Sequence, residues 1–538
     1  MAQAVDTPPA LGSHGQIFSR ESSGFVRVGT PWRMLALNFA NIGFTYIMFT
    51  LWADPAVFPQ SNLIVSILVA FGFAIFFNLL YAMFATIMPR TGGEYVWLSR
   101  TFHPSIGFAC SFAGAVSQAF WVGVGGFWIA SLVLSPMLTA FGATTGNATL
   151  SSWGATFGEP NVQFALGTFC VILFSLINLR GLRTYLRFQD INWVVGAVTL
   201  VALAAVFLTA THQDFVTGWD KYAAATGVPT VDQTFALAAA GGMPTGFSLA
   251  DTLGISGIIF LMAFASTSIG AEVRTPKRTQ LYGAVGGVIA YTGAVLVLVL
   301  LIAKVVGLDF NTAVSWLSYN PPADGTTIEA YPVFITYAGV IIDNGLMLAL
   351  VGFGMVLWSY FWLPSAQMIA TRSMFAWSFD RLVPEKISEV HPRYHAPWVA
   401  IIITAIVSEV FLVLYWQKVF SFLQPALAYN IVFLVASLAG IVFPYLGRTR
   451  ALFESSSMNY RIAGIPLMSI CGFVGAVWFA MGTYFMLTND LLALNTPQGL
   501  ATTGLQFAIP FVLFFVAKAY RARQGIDLNA TFSEIPPE

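Results

Sequence analysis

An all-α membrane protein with 12 transmembrane helices is the fold class this chain predicts, and three observations predict it. First, 57% of the residues are hydrophobic and 9% are charged, with a mean hydropathy of +0.75. A soluble domain carries about 25% charged residues, so a soluble fold is excluded. Second, the apolar residues gather into 12 segments, each near the roughly 20 residues a helix needs to cross the hydrocarbon core. Third, of the 24 lysines and arginines, all but Lys221, Lys304 and Lys418 fall in every second gap between those segments. Lys and Arg concentrate on the cytoplasmic side of membrane proteins. The basic gaps and both termini are therefore expected to be cytoplasmic, in a multi-pass protein of the plasma membrane (the inner membrane if the source is bacterial). The acidic residues split nearly evenly between the two sides, as expected, because Asp and Glu contribute little to topology.

In order, the predicted spans are 33–53, 61–87, 104–140, 161–178, 190–210, 253–272, 281–305, 343–371, 397–416, 419–446, 464–488 and 504–519. Residues 1–32 and 520–538 read as cytoplasmic tails around a single transmembrane domain, 33–519. The opening residues are polar and lack the apolar core of a cleaved signal peptide. Three outer loops are long, at 141–160, 211–252 and 306–342. Within the last, Tyr331–Ile342 is apolar but too short to cross, and is expected to form a helix lying across the outer surface. Asp343-Asn344-Gly345 reads as a turn and helix start, with Asp343 as the cap. No strand is predicted.

Net charge is zero, which gives no case for a nucleic-acid partner or a polybasic lipid anchor. Cys110, Cys170 and Cys471 fall inside predicted spans and read as small apolar packing residues, not disulfide or metal partners. The five histidines form no metal-binding pattern, and no phosphate loop is present, so an enzyme is not indicated and no cofactor or metal is expected. A channel would show a ring of charges or a filter repeat, and neither is visible.

Two spans carry polar and glycine residues midway. The first has Asn38, Asn41, Gly43 and Thr45; the sixth has Ser256-Gly257 and then Ser266-Thr267-Ser268 with Gly270. Helix interruptions at membrane depth are tolerated where they line a cavity, and transporters place them at matched positions of two inverted repeats. A separation of five spans is what a five-plus-five repeat requires. Small residues at these positions also permit close helix packing, and composition by itself does not separate the two readings.

The predicted inner loops add motifs. Tyr81-Ala-Met-Phe-Ala-Thr-Ile-Met-Pro-Arg-Thr-Gly-Gly-Glu-Tyr95 resembles the junction of the second and third helices in the amino acid–polyamine–organocation (APC) superfamily. Asn178-Leu-Arg-Gly-Leu-Arg183 resembles its fourth-to-fifth junction, and Gly270-Ala-Glu-Val-Arg-Thr-Pro-Lys-Arg278 the end of its sixth helix. Thr371–Pro384 and His391–Pro397 are similar to the stretch joining its eighth and ninth helices, and Arg461–Pro466 to the start of its eleventh. The motifs stand in family order over about residues 80–470. The resemblance implies a secondary transporter of amino acids or related amines, embedded in the lipid bilayer as a monomer or homodimer. It also implies a leucine-transporter-like core of two inverted repeats, about 33–210 and 253–446, with peripheral helices at 464–519.

A zwitterionic substrate needs a partner for each charge. Free amides at a half-helix start suit its carboxylate, and carbonyls at a half-helix end suit its ammonium. Gly43, Phe44 and Thr45 are expected to supply the first and Phe260–Phe264 the second, so the candidate substrate residues are Asn41, Gly43, Phe44, Thr45, Phe260, Met262 and Phe264. Trp121, with Phe120, is a candidate for the wall from the third span. The family usually has a second glycine after the first, where this chain has Thr45, and a glycine in the sixth span, where this chain has Leu261-Met262-Ala263-Phe264. No charge lies midway along the first, third, sixth or eighth span, which favours a neutral or zwitterionic substrate over a polyamine.

The coupling ion is expected to be H⁺ or Na⁺, if there is one. Proton-coupled relatives can carry a lysine in the fifth helix where this chain has Gly196. The candidates are Ser359 for sodium, and Glu272, Glu94 and Glu409 for a proton. Glu409, on a peripheral span, has the alternative of a local hydrogen bond. Glu272 beside Arg274, and Arg372 beside Asp380, are read either as an inner gate of ion pairs or as surface pairs contributing about 0–1 kcal/mol. A sensor that binds without transporting is the remaining alternative.

Overall fold

A computed structural model of the chain describes residues 25, 27–322, 333–359, 362–419 and 423–533; the side chains of Phe44, Thr45, Ser359, Asn529, Ala530 and Ser533 lie outside the described set. Among the described residues 11 helices are long and apolar enough to cross a membrane. The expected sixth span is the one not among them.

The first crossing is α1 (Pro31–Ile42) and α2 (Phe44–Val57), divided at Gly43, whose φ of 81° lies in the region that favours glycine. A cap residue in α3 (Leu63–Ile87), Asn62, accepts a hydrogen bond from the Val65 amide. The short α4 (Glu94–Thr101) follows Gly92 and Gly93, both at positive φ. The third crossing, α5 (Pro104–Ile129), continues through a π turn at Ala130–Leu134 into α6 (Ser135–Thr145). Next come α7 (Ala148–Gly158), α8 (Pro160–Leu179) and α9 (Leu182–Thr209). The loop expected at 211–252 folds into α10 (His212–Thr226) and α11 (Val231–Ala240), each opened by a capping box, from Thr211 and Thr230.

In place of one long sixth helix the chain forms α12 (Leu249–Ile258), a non-helical stretch at 259–264, α13 (Ala265–Ser268) and a 3₁₀ turn at Gly270–Glu272. The seventh crossing is α14 (Pro276–Gln280), a π turn at Leu281–Gly286 and α15 (Gly287–Val305). Beyond it lie α16 (Leu308–Tyr319) and α17 (Phe334–Ile341). The segment expected as a surface helix forms α17, which is buried beneath its neighbours, with Tyr337 edge-on to Phe215 of α10 at 5.7 Å. Asn344, not Asp343, caps the next helix: its Oδ1 accepts from the Leu346 and Met347 amides. Then α18 (Gly345–Ser359) and α19 (Trp362–Phe379) make up the eighth crossing, followed by α20 (Trp398–Trp416) and α21 (Leu423–Val442).

The remainder is α22 (Gly447–Ser455), α23 (Leu467–Thr488), α24 (Pro497–Arg523) and α25 (Leu528–Ser533). A minimal hairpin, β1 (Arg461–Ile462) with β2 (Ile465–Pro466), stands where no strand was predicted, turning through Ala463 and Gly464 at positive φ. The expected tails are partly structured. The amides of Val28 and Gly29 donate to the Glu272 carbonyl, and α25 places the Phe532 ring 5.0 Å from the Arg100 guanidinium.

The two breaks are held by side chains. Asn78 of α3 donates from Nδ2 to the Leu261 carbonyl (2.9 Å) and accepts the Ala263 amide at Oδ1 (2.7 Å). It thus replaces the backbone partners that residues 259–264 lose by leaving the helix. Asn38 of α1 does the same one turn on, accepting the Ser266 amide and donating to Ser266 Oγ, both at 2.8 Å. The Ser266 hydroxyl donates to Gln280 Oε1, whose amide donates back to the Ser266 carbonyl. At the first break the Tyr291 hydroxyl donates to the Gly43 carbonyl (2.9 Å). An unpaired backbone group in an apolar interior costs about 1–3 kcal/mol. Replacement Asn78→Ala orphans two of them, so a loss of about 2–6 kcal/mol is expected, read as a lower unfolding temperature in detergent. An unchanged melting curve would show that water, not Asn78, satisfies the break.

Candidate functional site: a cavity between two broken helices

A cavity of about 50 Å³ lies beside both breaks. Asn41 and Ile42 from α1, Tyr46 and Phe49 from α2, Gln118, Trp121 and Trp128 from α5, Phe260 from the non-helical stretch, Trp362 from α19 and Ala426 from α21 line it. Phase on the helices explains the α5 contribution: residues 118 and 121 are one turn apart and share a face. Trp121 stacks on Tyr429 (centroids 5.3 Å apart, planes 18°) and meets Phe260 edge-on at 5.8 Å. The Tyr46 hydroxyl donates to the Ile258 carbonyl at 2.7 Å, joining α2 to the last residue of α12. Two polar atoms in the wall, Asn41 Oδ1 and Trp121 Nε1, are buried with no hydrogen-bond partner among the described residues. The lining is otherwise apolar and aromatic, with polar groups limited to fixed positions, as in small-molecule sites generally.

The cavity adjoins a vestibule of about 1120 Å³ toward the predicted outer end, with Tyr46, Phe49, Trp128 and Ala426 common to both. Asp54, two turns beyond Tyr46 on α2, lines this vestibule; it is 7% exposed and its Oδ2 has no partner among the described residues. The span boundary predicted at residue 53 left this carboxylate outside the helix, which now includes it.

The opposite end is closed. The Gly92 amide donates to the Ser268 carbonyl, Thr91 bridges Ile269, and Gly29 bridges Val273. Gly92 is required there, because a Cβ would lie 2.5 Å from that of Ala376. Two ion pairs complete the closure, with partners other than those expected. Arg372 pairs with Glu272 (Nε–Oε1 2.9 Å), not Asp380, and Asp380 pairs with Arg100 (2.9 Å) while accepting the Tyr95 hydroxyl. Arg274 donates instead to the exposed Arg27 carbonyl. Nor are these surface pairs: the side chains of Arg372 and Glu272 are 4% and 2% exposed, those of Arg100 and Asp380 5% and 1%.

Of the expected substrate residues, Asn41, Trp121 and Phe260 meet at the cavity. Gly43 forms the hinge beside it, its α-carbon facing the Trp362 indole so closely that a Cβ would lie 2.9 Å from the ring. Met262 and Phe264 do not reach it. Phe264 packs behind the wall against Tyr429 and Phe433, at 5.6 and 5.2 Å, and Phe120 faces Phe411 at 5.7 Å. The side chains of Phe44, Thr45 and Ser359 lie outside the described residues. Glu409 accepts a 2.6 Å hydrogen bond from Thr168 on the neighbouring α8. Gly196 packs on the Trp358 indole, where a Cβ would lie 2.7 Å from the ring, and Trp358 itself stacks on Phe39 at 5.8 Å. Sequence reading missed Tyr46, Phe49, Gln118, Trp128 and Trp362. Only Gln118 carried a signal, a lone amide one turn before Trp121.

A multi-pass helical bundle with two interrupted helices flanking an aromatic cavity, open at one end and closed by buried ion pairs at the other, defines a membrane transport protein. The Amino acid permease family matches the chain over residues 30–517, and the chain belongs to that family, one of transporters and not of enzymes. It is similar to the "Serine/threonine exchanger SteT" of Bacillus subtilis (strain 168), 23% identical over 430 residues, covering 79% of this chain and 83% of that one. It is also similar to the "Branched-chain amino acid permease BcaP" of Lactococcus lactis subsp. cremoris (strain MG1363), 23% identical over 484 residues, 87% of this chain and 92% of that one.

Removing one partner of a buried ion pair strands a charge at a cost of about 3–5 kcal/mol, whereas an apolar pair of similar volume is often neutral. Arg372→Ala is therefore expected to destabilise by about that amount, and Arg372→Met with Glu272→Leu to recover most of it. Unfolding temperatures in detergent test this; equal losses in the single and double variants would rule it out.

Proposed function

We propose that this protein is a secondary active transporter that carries amino acids with neutral side chains by alternating access between the two ends of the bundle. One observation carries the reading: the aromatic cavity sits at the joint of two helix breaks, with an open path on one side and a sealed one on the other. On this reading the broken α12–α13 segment is the twelfth crossing, α1–α9 and α12–α21 form the two inverted repeats, and α23 and α24 are peripheral. The vestibule then opens outward and the Arg372–Glu272 and Arg100–Asp380 pairs close the cytoplasmic side, with both termini inside, in keeping with the basic loops.

The chemistry fits a zwitterion. Amide groups of the first turn of α2 point back toward the break, because the first four N–H groups of a helix have no intrahelical partner, and the helix dipole adds positive potential there. The Ile259 and Phe260 carbonyls, outside any helix, suit an ammonium. Among the described residues no charged side chain lines the cavity, and its aromatic walls suit an apolar side chain. The names of the two relatives, a serine/threonine exchanger and a branched-chain amino acid permease, agree with this polarity. Asp54 favours a second reading, an amine without a carboxylate, since its carboxylate stands on the way in.

Uptake of labelled neutral, acidic and basic amino acids and a simple aromatic amine into proteoliposomes separates these readings. Uptake of neutral amino acids alone supports the first; uptake of the amine alone replaces it with the second; saturable binding without uptake would make the protein a sensor. Trp121→Ala, which removes the central wall, is expected to raise KM for large apolar substrates roughly 10–100-fold, a loss of about 1.4–2.8 kcal/mol. Parallel, equal effects on small and large substrates would show that Trp121 does not face the side chain.

A further inference from the structure

Glu94 opens α4, between the second and third crossings, and is 2% exposed. Its Oε2 has no hydrogen-bond partner among the described residues. Titratable groups face it from three elements: Tyr81 of α3, Cys110 of α5 and Tyr429 of α21. None of these is a cation. From α19, Arg372 and Asp380 are committed to Glu272 and Arg100. On α22, Arg448 and Arg450 are exposed, and α25 bears no charged residue. Within α4 itself, Arg100 is held by Asp380. A buried carboxylate with no counter-charge favours its neutral form. Burial pushes the Glu94 carboxyl up to about 7, from an ordinary value of 4.5.

The surroundings connect this carboxyl to the cavity. Gly114 leaves a gap on α5: a Cβ there would lie 3.3 Å from the Tyr429 hydroxyl oxygen and 3.6 Å from Glu94 Oε1, so both oxygens face one small space. Gln118, one turn further along α5 and part of the cavity wall, donates from Nε2 to the Tyr429 hydroxyl at 2.9 Å. Because that oxygen already accepts from Gln118, the tyrosine proton is free to turn into the space that Glu94 Oε1 also faces. Trp121, the central wall residue, stacks on the same tyrosine. On its other side Glu94 adjoins the inner seam. The preceding residues Thr91, Gly92 and Gly93 lie against Ser268 and Ile269, which must part from them if the inner end is to open.

We propose that Glu94 is the proton-carrying group of this transporter, linked to the substrate cavity through Tyr429 and Gln118 and to the inner seam through Gly92 and Gly93. In the inner-closed form the carboxylate takes up one proton and becomes a neutral acid. Parting of the seam admits water, the acid returns that proton to the cytoplasmic side, and the carboxylate is restored for the next cycle. The sign follows from linkage: protonation favours the closed form, and that advantage fades as pH rises from the ordinary carboxyl range through about 7. Glu94 touches no substrate, and its function rests on the transporter reading above.

The test uses the full-length chain in proteoliposomes and a labelled substrate from the panel. Two rates are read: uptake driven by an inward proton gradient, and counterflow exchange without a gradient. Wild type is expected to show gradient-stimulated uptake that declines as external pH rises through about 7. Glu94→Gln is expected to lose that stimulation and its pH dependence, leaving uptake within about twofold of the gradient-free rate, while counterflow persists. Tyr429→Phe, which keeps the ring but removes the hydroxyl, is expected to weaken stimulation in the same direction and serves if Glu94→Gln does not fold. Retained stimulation in either folded variant overturns the proposal, as does counterflow in wild type with no response to the gradient; in both cases the transporter reading stands. Absence of uptake and counterflow in wild type would overturn the transporter reading as well.

Discussion

Every backbone amide and carbonyl at membrane depth needs a partner from the protein, because lipid offers none. The rest of this structure depends on how that constraint is met at residues 259–264. Six residues leave the helix there without a glycine among them, and the amide side chain of Asn78 takes up one donor and one acceptor that the helix would have paired. Asn38, Ser266 and Gln280 extend the same service to the start of α13. These bonds tie the two breaks to their neighbours and leave the Phe260 ring and carbonyl beside the cavity. A leucine at 78 would suit the apolar run of α3 better and would leave the break unsatisfied.

The two ends of the bundle are built from different materials. Toward Asp54 the walls are aromatic rings with space between them; toward Arg372 they are ion pairs and backbone bridges with none. Charged pairs that are almost fully buried give directional closure and lose their advantage once water reaches them, since separated ions are well solvated in water and poorly in protein. Such a seam is suited to a structure that must be closed in one state and hydrated in another. Aromatic walls, in contrast, keep their apolar contact in either condition.

Most of the spans were legible in the apolar runs, because each run had to match one thickness of hydrocarbon. The hinge at Gly43 was legible too, as a glycine among polar residues in an otherwise apolar span. The cavity was legible only in part. Asn41, Trp121 and Phe260 stood near recognisable interruptions, but an irregular stretch has no period, so nothing in the sequence told Phe260, which faces the cavity, from Met262 and Phe264, which do not. Ion-pair partners were misread for a related reason: Arg274 and Glu272 are neighbours in sequence, whereas the pairs that form join residues 100 and 280 positions apart. Asp54 was lost to a boundary error of a few residues, which is the ordinary uncertainty of a helix end. The helices α10, α11 and α16 were read as loops because their apolar faces cover other helices instead of lipid.

One of those surface helices changes how the first crossing is to be regarded. Asn311 and Ser315 of α16 both donate to the Leu51 carbonyl, at 2.8 and 3.1 Å, and the Trp52 indole donates to Ser318. Tyr337 of α17 in turn donates to Asn311, and its ring joins an aromatic cluster with Phe215 and Trp219 of α10. The α2 half of the first crossing is therefore bonded to α16, itself packed with α10 and α17, whereas the α1 half is bonded to the broken sixth segment through Asn38. Gly43 stands between two differently anchored helices, and α2 is the continuous element that joins the α16 contact at Leu51 to the cavity wall at Tyr46 and Phe49.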